Sequence, residues 1–451
     1  MKTRFLHFAD CHLGYKQYNN KERYNDFARA FLDVINQALA EEVDFVVLAG
    51  DLFQKRAIDA LTLRQAVQGL RRLQEAGIPC IAVEGNHERA YYQDFMGWMD
   101  FLALEKLLTL ISPPFEEGKP VLTPAGKKRR NVGYVDPVEG VRVYGLPYMG
   151  ASTLTAVNAY AQALADQPAE GVEYTIFVAH AGVQGVLADD AGGLSYRQWA
   201  VLHPQVDYLA LGHIHKPYEF EDWIFNPGSP ETCSISEAAW PERGYYLVDV
   251  DTGRAPKHTA RLKANRRRTV HRLTLAVDRF GSPEELETHA REFLRRKARD
   301  LHVARLSAKE RPVIELQLTG VLAFDRTALA VDRLETLIVE AFDPLHTLVK
   351  NHTRATEYAV DVEEGMSRPQ LERQVIMDLL DRDQRFQGQS AAWAKVAISL
   401  KQLALSNAAP QAILDEVADA VEQLGRTTVD GRPTTGDERR TTNDQRPTTK
   451  D

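Results

Sequence analysis

The sequence predicts an α/β fold over its first half, and two observations carry that prediction. Short apolar runs alternate with amphipathic helical patterns, and most of the runs end in a polar or glycine-bearing cluster. Runs at residues 4–9, 44–49, 78–83, 141–145, 174–179 and 206–211 are rich in β-branched or aromatic residues and read as buried strands. Between the first two, Tyr24, Phe27, Phe31, Val34, Ile35 and Ala38 recur at helical spacing. Between the next two, Asp59 is a candidate N-cap ahead of Leu63, Ala66, Val67, Leu70 and Leu73. Strand–helix–strand units with connections this long imply parallel pairing, with helices on the faces of the sheet. After residue 111 the connections become irregular, and antiparallel strands are expected there.

Around residues 254–268 the chain turns basic, with Gly253 and Pro256 at its start and Arg266-Arg267-Arg268 at its end; a domain boundary is expected in this stretch. The pattern then restarts as strand (269–277), helix (283–300), strand (313–319), helix (325–342) and strand (345–351), a small α+β module. From 369 to 424 it is helical only, with Leu371, Val375, Ile376, Leu379 and Leu380, then Trp393, Val396, Ala397, Leu400 and Leu403. Helices this short and apolar either dock on the body or bind another chain. Thr-Thr pairs at 427, 434, 441 and 448 repeat every seven residues, with nothing apolar at the repeated positions. A coiled coil is excluded and the tail reads as disordered, low-complexity sequence. The organisation expected is therefore 1–262, 269–362, 369–424 and 425–451.

Composition narrows the class. The 451 residues are 44% hydrophobic and 26% charged, enough for a sizeable core in several domains and unlike a collagenous or disordered chain. Three scattered cysteines (Cys11, Cys80 and Cys233) cannot build a disulfide framework and fit a reducing compartment. The most apolar long stretch, 95–111, carries Asp100, Glu105 and Lys106, so no membrane span is expected. Asp10 and His12 interrupt any N-terminal signal. A net charge of −8 argues weakly against nucleic acid, yet residues 254–311 hold 17 Lys and Arg against 7 Asp and Glu. A basic block in an acidic chain suits a phosphate backbone, although from charge alone a solvated linker followed by a charged helix ranks first.

The chemistry lies at the strand ends. Asp10-Cys11-His12, Gly50-Asp51, Gly85-Asn86-His87-Glu88, His180 and Gly212-His213-Ile214-His215 each come directly after an apolar run, and all are expected at the same end of one sheet. Each alone has a plain structural explanation, such as a turn or a helix cap. Together they should converge, because ligands bind outside the carboxyl ends of strands in open α/β sheets. Asp10, His12, Asp51, Asn86, His180, His213 and His215 are too many donors for one ion and suit two ions with a shared bridge. Asp51 is the natural bridge, since a carboxylate spans two cations and an imidazole does not. Oxygen and imidazole donors favour Mn, Fe or Zn. Such a pair clamps the attacking and leaving oxygens of a displacement at phosphorus. His87 is left beside the site as proton donor or stabiliser of phosphate charge.

These motifs resemble the calcineurin-like metallophosphoesterases. The runs Asp10-Cys11-His12-Leu13-Gly14, Gly50-Asp51-Leu52-Phe53 and Asn226-Pro227-Gly228-Ser229 narrow the resemblance to the SbcD-type DNA repair exonuclease subunit. The resemblance implies sheets layered with helices, a capping domain and C-terminal helices. It implies one metal on Asp10, His12, Asp51 and His215, a second on Asp51, Asn86, His180 and His213, and His87 as catalytic residue. It further implies manganese as the pair of divalent ions, DNA ends as substrate, an SbcC-type coiled-coil ABC ATPase as partner of the 369–424 helices, and a homodimer. Residues 91–110 lie near the family's dimer contact, although a buried helix also explains them. The resemblance also implies a cytoplasmic, nucleoid-associated location. Lys127, Lys128, Arg129, Arg130, Arg266, Arg267 and Arg268 become candidate DNA-backbone contacts. One departure stands out: Gln54 replaces the His that many members carry after Gly-Asp-Leu-Phe, which bears on exonuclease activity. The competing readings are a small-substrate phosphatase or phosphodiesterase and a weakly catalytic DNA-end scaffold. The absence of a Gly-x4-Gly-Lys-Ser/Thr loop and of a Gly-x-Ser-x-Gly elbow speaks against an intrinsic ATPase and a serine hydrolase.

Overall fold

The structure is a computed structural model that describes residues 1–89, 96–126, 131–187, 193–355, 367–381, 383, 385–386, 388–406 and 408–424. The expected tail, 425–451, and Lys127–Arg130 lie outside the described residues.

Alternating apolar runs and amphipathic helices build the first sheet and its cover in the expected order: β1 (Lys2–Phe8), α1 (Lys21–Ala40), β2 (Phe45–Ala49), α2 (Ala60–Glu75), β3 (Cys80–Val83), α3 (Trp98–Leu104) and β4 (Thr109–Leu110). Asp59 caps α2 by accepting from the Thr62 N–H at 2.8 Å, as its position before the apolar stripe implied. Next come the hairpin β5 (Phe115–Glu116) and β6 (Lys119–Pro120), then β7 (Tyr134–Val135), β8 (Val141–Leu146), α4 (Thr153–Asp166), β9 (Tyr174–His180), α5 (Tyr196–Trp199) and β10 (Tyr208–Gly212). β11 (Tyr218–Phe220), β12 (Ile224–Asn226), β13 (Gly244–Asp251) and β14 (His258–Ala264) complete this region.

The strands form two sheets, where the sequence pattern suggested one. Their orders are β14-β13-β1-β2-β3-β4 and β11-β12-β10-β9-β8-β7. The side-chain alternation of β1 explains why. Phe5 and Ala9 face the second sheet, packing with Val47, Ile176, Val178, Tyr208 and Phe225. Leu6 and Phe8 face the helices, with Phe31, Val34, Ile35 and Leu70. α4 and α5 cover the outer face of the second sheet through Val157, Tyr160, Leu164 and Trp199. The result is four layers, helix–sheet–sheet–helix, and strands buried on both faces read as continuous apolar runs whichever sheet they join. The antiparallel pairing expected after residue 111 holds only in part: β13 pairs antiparallel with β1 and β14, and β7–β8 and β11–β12 are antiparallel, but β8, β9, β10 and β12 pair in parallel. β14 takes up much of the stretch read as a linker, leaving residues 265–269 to connect onward.

β15 (Val270–Ala276), α6 (Pro283–Asp300), β16 (Val313–Thr319), α7 (Val331–Phe342) and β18 (His346–Asn351) form a three-stranded parallel sheet with two helices, close to the expected module. α7 begins later than expected, after a short 3-10 turn at Arg326–Ala328. The chain divides into two compact units, residues 1–320 with 327–352, and residues 321–326 with 353–451. The small α+β sheet therefore belongs with the layered body. In the second unit β17 (Val321–Leu322) pairs with β19 (Arg354–Ala355), followed by α8 (Arg368–Asp381), α9 (Ser390–Leu405) and α10 (Pro410–Leu424). Among the described residues no helix is long and apolar enough to cross a membrane.

Candidate metal centre

The carboxyl ends of β1, β2 and β3 on one sheet and of β9 and β10 on the other face each other, and the strand-end clusters meet between them. The loops after β1 and β2 are laced through their backbones: Asp10 N–H to Gly50 O at 3.1 Å, His12 N–H to Asp51 O at 3.1 Å and Leu13 N–H to Leu52 O at 2.8 Å. Asp10, His12, Asp51 and His213 all adopt positive φ, between 49° and 90°. A backbone conformation this unfavourable for non-glycine residues persists only where surrounding contacts impose it. Gly85 is required by close approach: a Cβ there would collide with the Asp51 carboxylate.

Asp51 sits at the centre, buried. Its Oδ2 lies 3.2 Å from His180 Nε2, 3.9 Å from His12 Nε2 and 4.0 Å from His87 Nε2, while its Oδ1 accepts the His87 N–H at 3.0 Å. Around it, the Asn86 Oδ1 lies 3.1 Å from His180 Nε2 and 3.0 Å from His213 Nδ1. His215 Nε2 stands 4.0 Å from Asp10 Oδ1 and 3.0 Å from His12 Nε2. All seven donors read from the sequence are thus brought together.

Outer contacts set which nitrogen faces inward. His180 Nδ1–H donates to Ala49 O at 2.8 Å, and His215 Nδ1–H donates to Glu237 Oε1 at 2.7 Å, leaving each Nε2 toward the centre. His87 Nδ1–H donates to the Gln54 carbonyl at 2.6 Å, so the main chain of Gln54 orients the His87 ring.

The electrostatics reflect burial and crowding. Burial pushes the Asp10 carboxyl up to about 6. Burial also opposes ionisation of Asp51, but the neighbouring His180 outweighs it and holds this carboxyl well below its usual range. In turn Asp51 overcomes the burial of His180 and raises it to about 9. Burial first, then His180, lowers His213 to about 4. His12 is depressed by burial and by His215, and its Nδ1 is buried with no hydrogen-bond partner among the described residues. A cluster of imidazoles at this spacing, with one carboxylate among three of them, suits bound cations: the donor chemistry and the orphaned atom both fit divalent metal.

Residues 3–217 match the family model described as Calcineurin-like phosphoesterase. This segment is a calcineurin-like phosphoesterase domain. Three archaeal proteins, each named DNA double-strand break repair protein Mre11, are similar to part of this chain. The Archaeoglobus fulgidus protein is 34% identical over 52% of this chain and 52% of its own. The Haloferax volcanii protein is 32% identical over 55% of this chain and 49% of its own. The Halobacterium salinarum protein is 29% identical over 66% and 68%. The chain spans about half the length of the first two. A solved phosphoesterase, YfkN from Bacillus subtilis, aligns with 58% of this chain and 90% of its own at 15% identity and a TM-score of 0.38, a likeness too slight to build on.

The basic residues fare differently from the candidate metal donors. Arg268 is buried and donates to Asp26, at 2.5 Å and 3.0 Å, and to the Arg311 carbonyl. Arg267 donates to the carbonyls of Arg243, Asn265 and Pro241. Arg266 is exposed. A run of three arginines read as one phosphate-binding patch therefore divides by burial, and Arg268 serves as a strut between α1 and the small α+β module. Of residues 91–110, positions up to 95 lie outside the described residues; in α3, Met99 and Leu102 are buried in the core and Leu104 is exposed, as is Met96 just before the helix.

Two carboxylates beside the centre had no role in the sequence reading. Glu88, buried, accepts from Gly85 N–H at 3.0 Å and Phe53 N–H at 3.2 Å, tying the loops after β2 and β3 together. Burial, then the charge of Asp51, raises it to about 8. Its motif position was a usable signal. Glu237, by contrast, lies 22 residues beyond its partner His215, and no spacing rule points to it.

Proposed function

We propose that this chain is a two-metal DNA phosphodiesterase, the exo/endonuclease subunit of a double-strand-break repair complex. The observation that carries the reading is Asp51 within 4.0 Å of three imidazole nitrogens, at the meeting edge of two sheets. One ion belongs on Asp10, His12, Asp51 and His215; the other on Asp51, Asn86, His180 and His213. When bound, the pair clamps the attacking and leaving oxygens of an in-line displacement at phosphorus. Manganese is the proposed metal, as hard oxygen and imidazole donors accept it.

The protein's own groups do the rest. His87, with Nδ1–H held by the Gln54 carbonyl, presents Nε2 toward Asp51, where it can hold or deliver a proton at the phosphodiester or steady its charge. Glu237 fixes the His215 ring, and Glu88 holds the two loops that carry Asp51 and Asn86. The names of the archaeal relatives support DNA ends as the substrate. An SbcC-type coiled-coil ATPase is the proposed partner of α8–α10, where Leu405, Leu414, Val417 and Val421 are exposed apolar residues. A homodimer and a cytoplasmic, nucleoid-associated location complete the proposal.

The test is incubation of the purified chain, with manganese and then chelator, on end-labelled duplex DNA, single-stranded DNA and a small aryl phosphodiester. Chelator-sensitive degradation of DNA is expected; turnover of the small ester alone would replace the reading with a small-substrate phosphodiesterase. His87→Ala should lower cleavage by about 10²–10⁴-fold while metal and DNA still bind. Deleting residues 369–424 should abolish co-purification with a coiled-coil ATPase and leave the phosphodiesterase active.

A further inference from the structure

We propose that Cys233 forms, with His12 and His215, a thiophilic cation site on the rim of the metal centre, selective for zinc or cadmium. The Cys233 sulfur and one ring nitrogen from each histidine lie within 4.8 Å of one another. Nothing in the phosphoesterase reading uses this thiol.

The local structure explains why sulfur arrives there. Cys233 precedes the short 3-10 helix Ile235–Ala239. Its backbone N–H donates to Glu237 Oε2 at 2.9 Å, while Oε1 of the same carboxylate receives His215 Nδ1–H at 2.7 Å. One buried carboxylate therefore pins the thiol-bearing loop beside the imidazole and turns His215 Nε2 inward. His12 Nε2 faces His215 Nε2 at 3.0 Å. In a tetrahedral zinc site, with Zn–N near 2.0 Å and Zn–S near 2.3 Å, donor atoms stand about 3.5 Å apart, so a small closure of the loop suffices. The sulfur's contact with the Glu231 carbonyl is long, 3.7 Å, and gives little resistance to that closure. Asp10 Oδ1, 4.0 Å from His215 Nε2, stands next to the trio as an oxygen donor. Cys11 and Cys80 offer no alternative, because both are 2% exposed and packed in the core under α1 and α2.

Thiolate is a soft ligand that prefers zinc and cadmium, and manganese prefers oxygen donors. On binding, the thiol proton passes to solvent as the sulfur–metal bond forms. Since His12 and His215 are shared with one of the proposed manganese positions, a thiophilic cation and that manganese exclude each other. This competition rests on the proposed dimetal reading; the sulfur–cation bond does not.

The two can be tested separately. The full-length metal-free chain is titrated with cadmium, and the thiolate-to-cadmium charge-transfer absorption is tracked in wild type, Cys233→Ser and Cys80→Ala. The wild type and Cys80→Ala should develop the band, saturating at about one cation per chain. Cys233→Ser should lack it, and its ratio of cadmium to manganese affinity, measured by calorimetry, should fall at least ~10-fold. A wild type without the band, or Cys233→Ser with the band intact, overturns the proposal. Manganese binding without a cadmium band removes only the thiophilic site, whereas a cadmium band without manganese binding removes only the dimetal reading.

Discussion

Two polar clusters are buried in the first unit, and they balance in opposite ways. Beneath the small α+β module, Arg23 and Arg268 meet Asp26 and Glu231, two guanidinium groups against two carboxylates. Arg23 donates to Asp26 at 2.7 Å and to Glu231 at 3.1 Å, and Arg268 closes the ring on Asp26. Each charge has an opposite charge in contact, and nothing further is required. At the candidate metal centre the same burial surrounds like with like: two imidazole nitrogens stand 3.0 Å apart, the His180 and His213 rings are packed together beside them, and among the described residues His12 Nδ1 has no partner. The lesson is that burial of polar groups does not by itself mark a functional site. A cluster closed in charge is a strut, and one crowded with lone pairs has room for a cation.

The largest effect should come from Asp51→Ala, which removes the shared carboxylate. Manganese binding by calorimetry should be lost, and DNA cleavage should fall on the order of 10³-fold or more, with little change in the denaturation midpoint of the metal-free chain. Asp26→Ala should do the reverse. It leaves the buried Arg268 guanidinium without its carboxylate and Arg23 with Glu231 alone, and should cost about 3–5 kcal/mol in denaturant unfolding, with manganese affinity unchanged. If Asp26→Ala is harmless, the contrast between the clusters fails.

The balanced cluster also has a pH signature. Burial raises the Asp26 carboxyl, but the hydrogen bond from Arg268 and the charge of Arg23 outweigh it and leave its folded pKa below the ordinary value. Its contribution is therefore fully present above the unfolded value, about 3.9, and is lost as pH falls through the folded one. Acid unfolding of the wild type should be steeper below about pH 4 than that of Asp26→Asn. Glu237→Ala, which releases His215 and keeps every metal donor, should weaken manganese binding by about 10–100-fold. The smallest effect belongs to Arg266→Ala: stability within about 0.5 kcal/mol of wild type, and a salt slope of DNA binding reduced by about one. Arg268→Ala, by contrast, should behave as a stability variant.

One side of this contrast, the candidate metal donors, was legible before any tertiary information; the balanced cluster was not. The seven candidate donors and His87 sit at or just past strand ends, and the chemistry of a strand end is local: an apolar run must stop, and the polar group that stops it is its neighbour in the chain. The same holds for α1, α2 with its Asp59 cap, and the strand and helix order of the small module. The division of the strands into two sheets was not legible, because Val47 and Val178 are apolar for the same reason although they come from opposite sheets. Nor could adjacent arginines be told apart. Arg266 and Arg268 have the same side chain two positions apart, yet only the second meets Asp26, 242 residues away in sequence. Glu237 and Cys233 reach His215 through a loop whose path no spacing records. The sequence by itself determined which candidate groups are available at the strand ends and the order in which the chain presents them. Tertiary structure decided which of them are crowded, which are paired and which face solvent, because burial and charge balance depend on what the rest of the chain brings to each place.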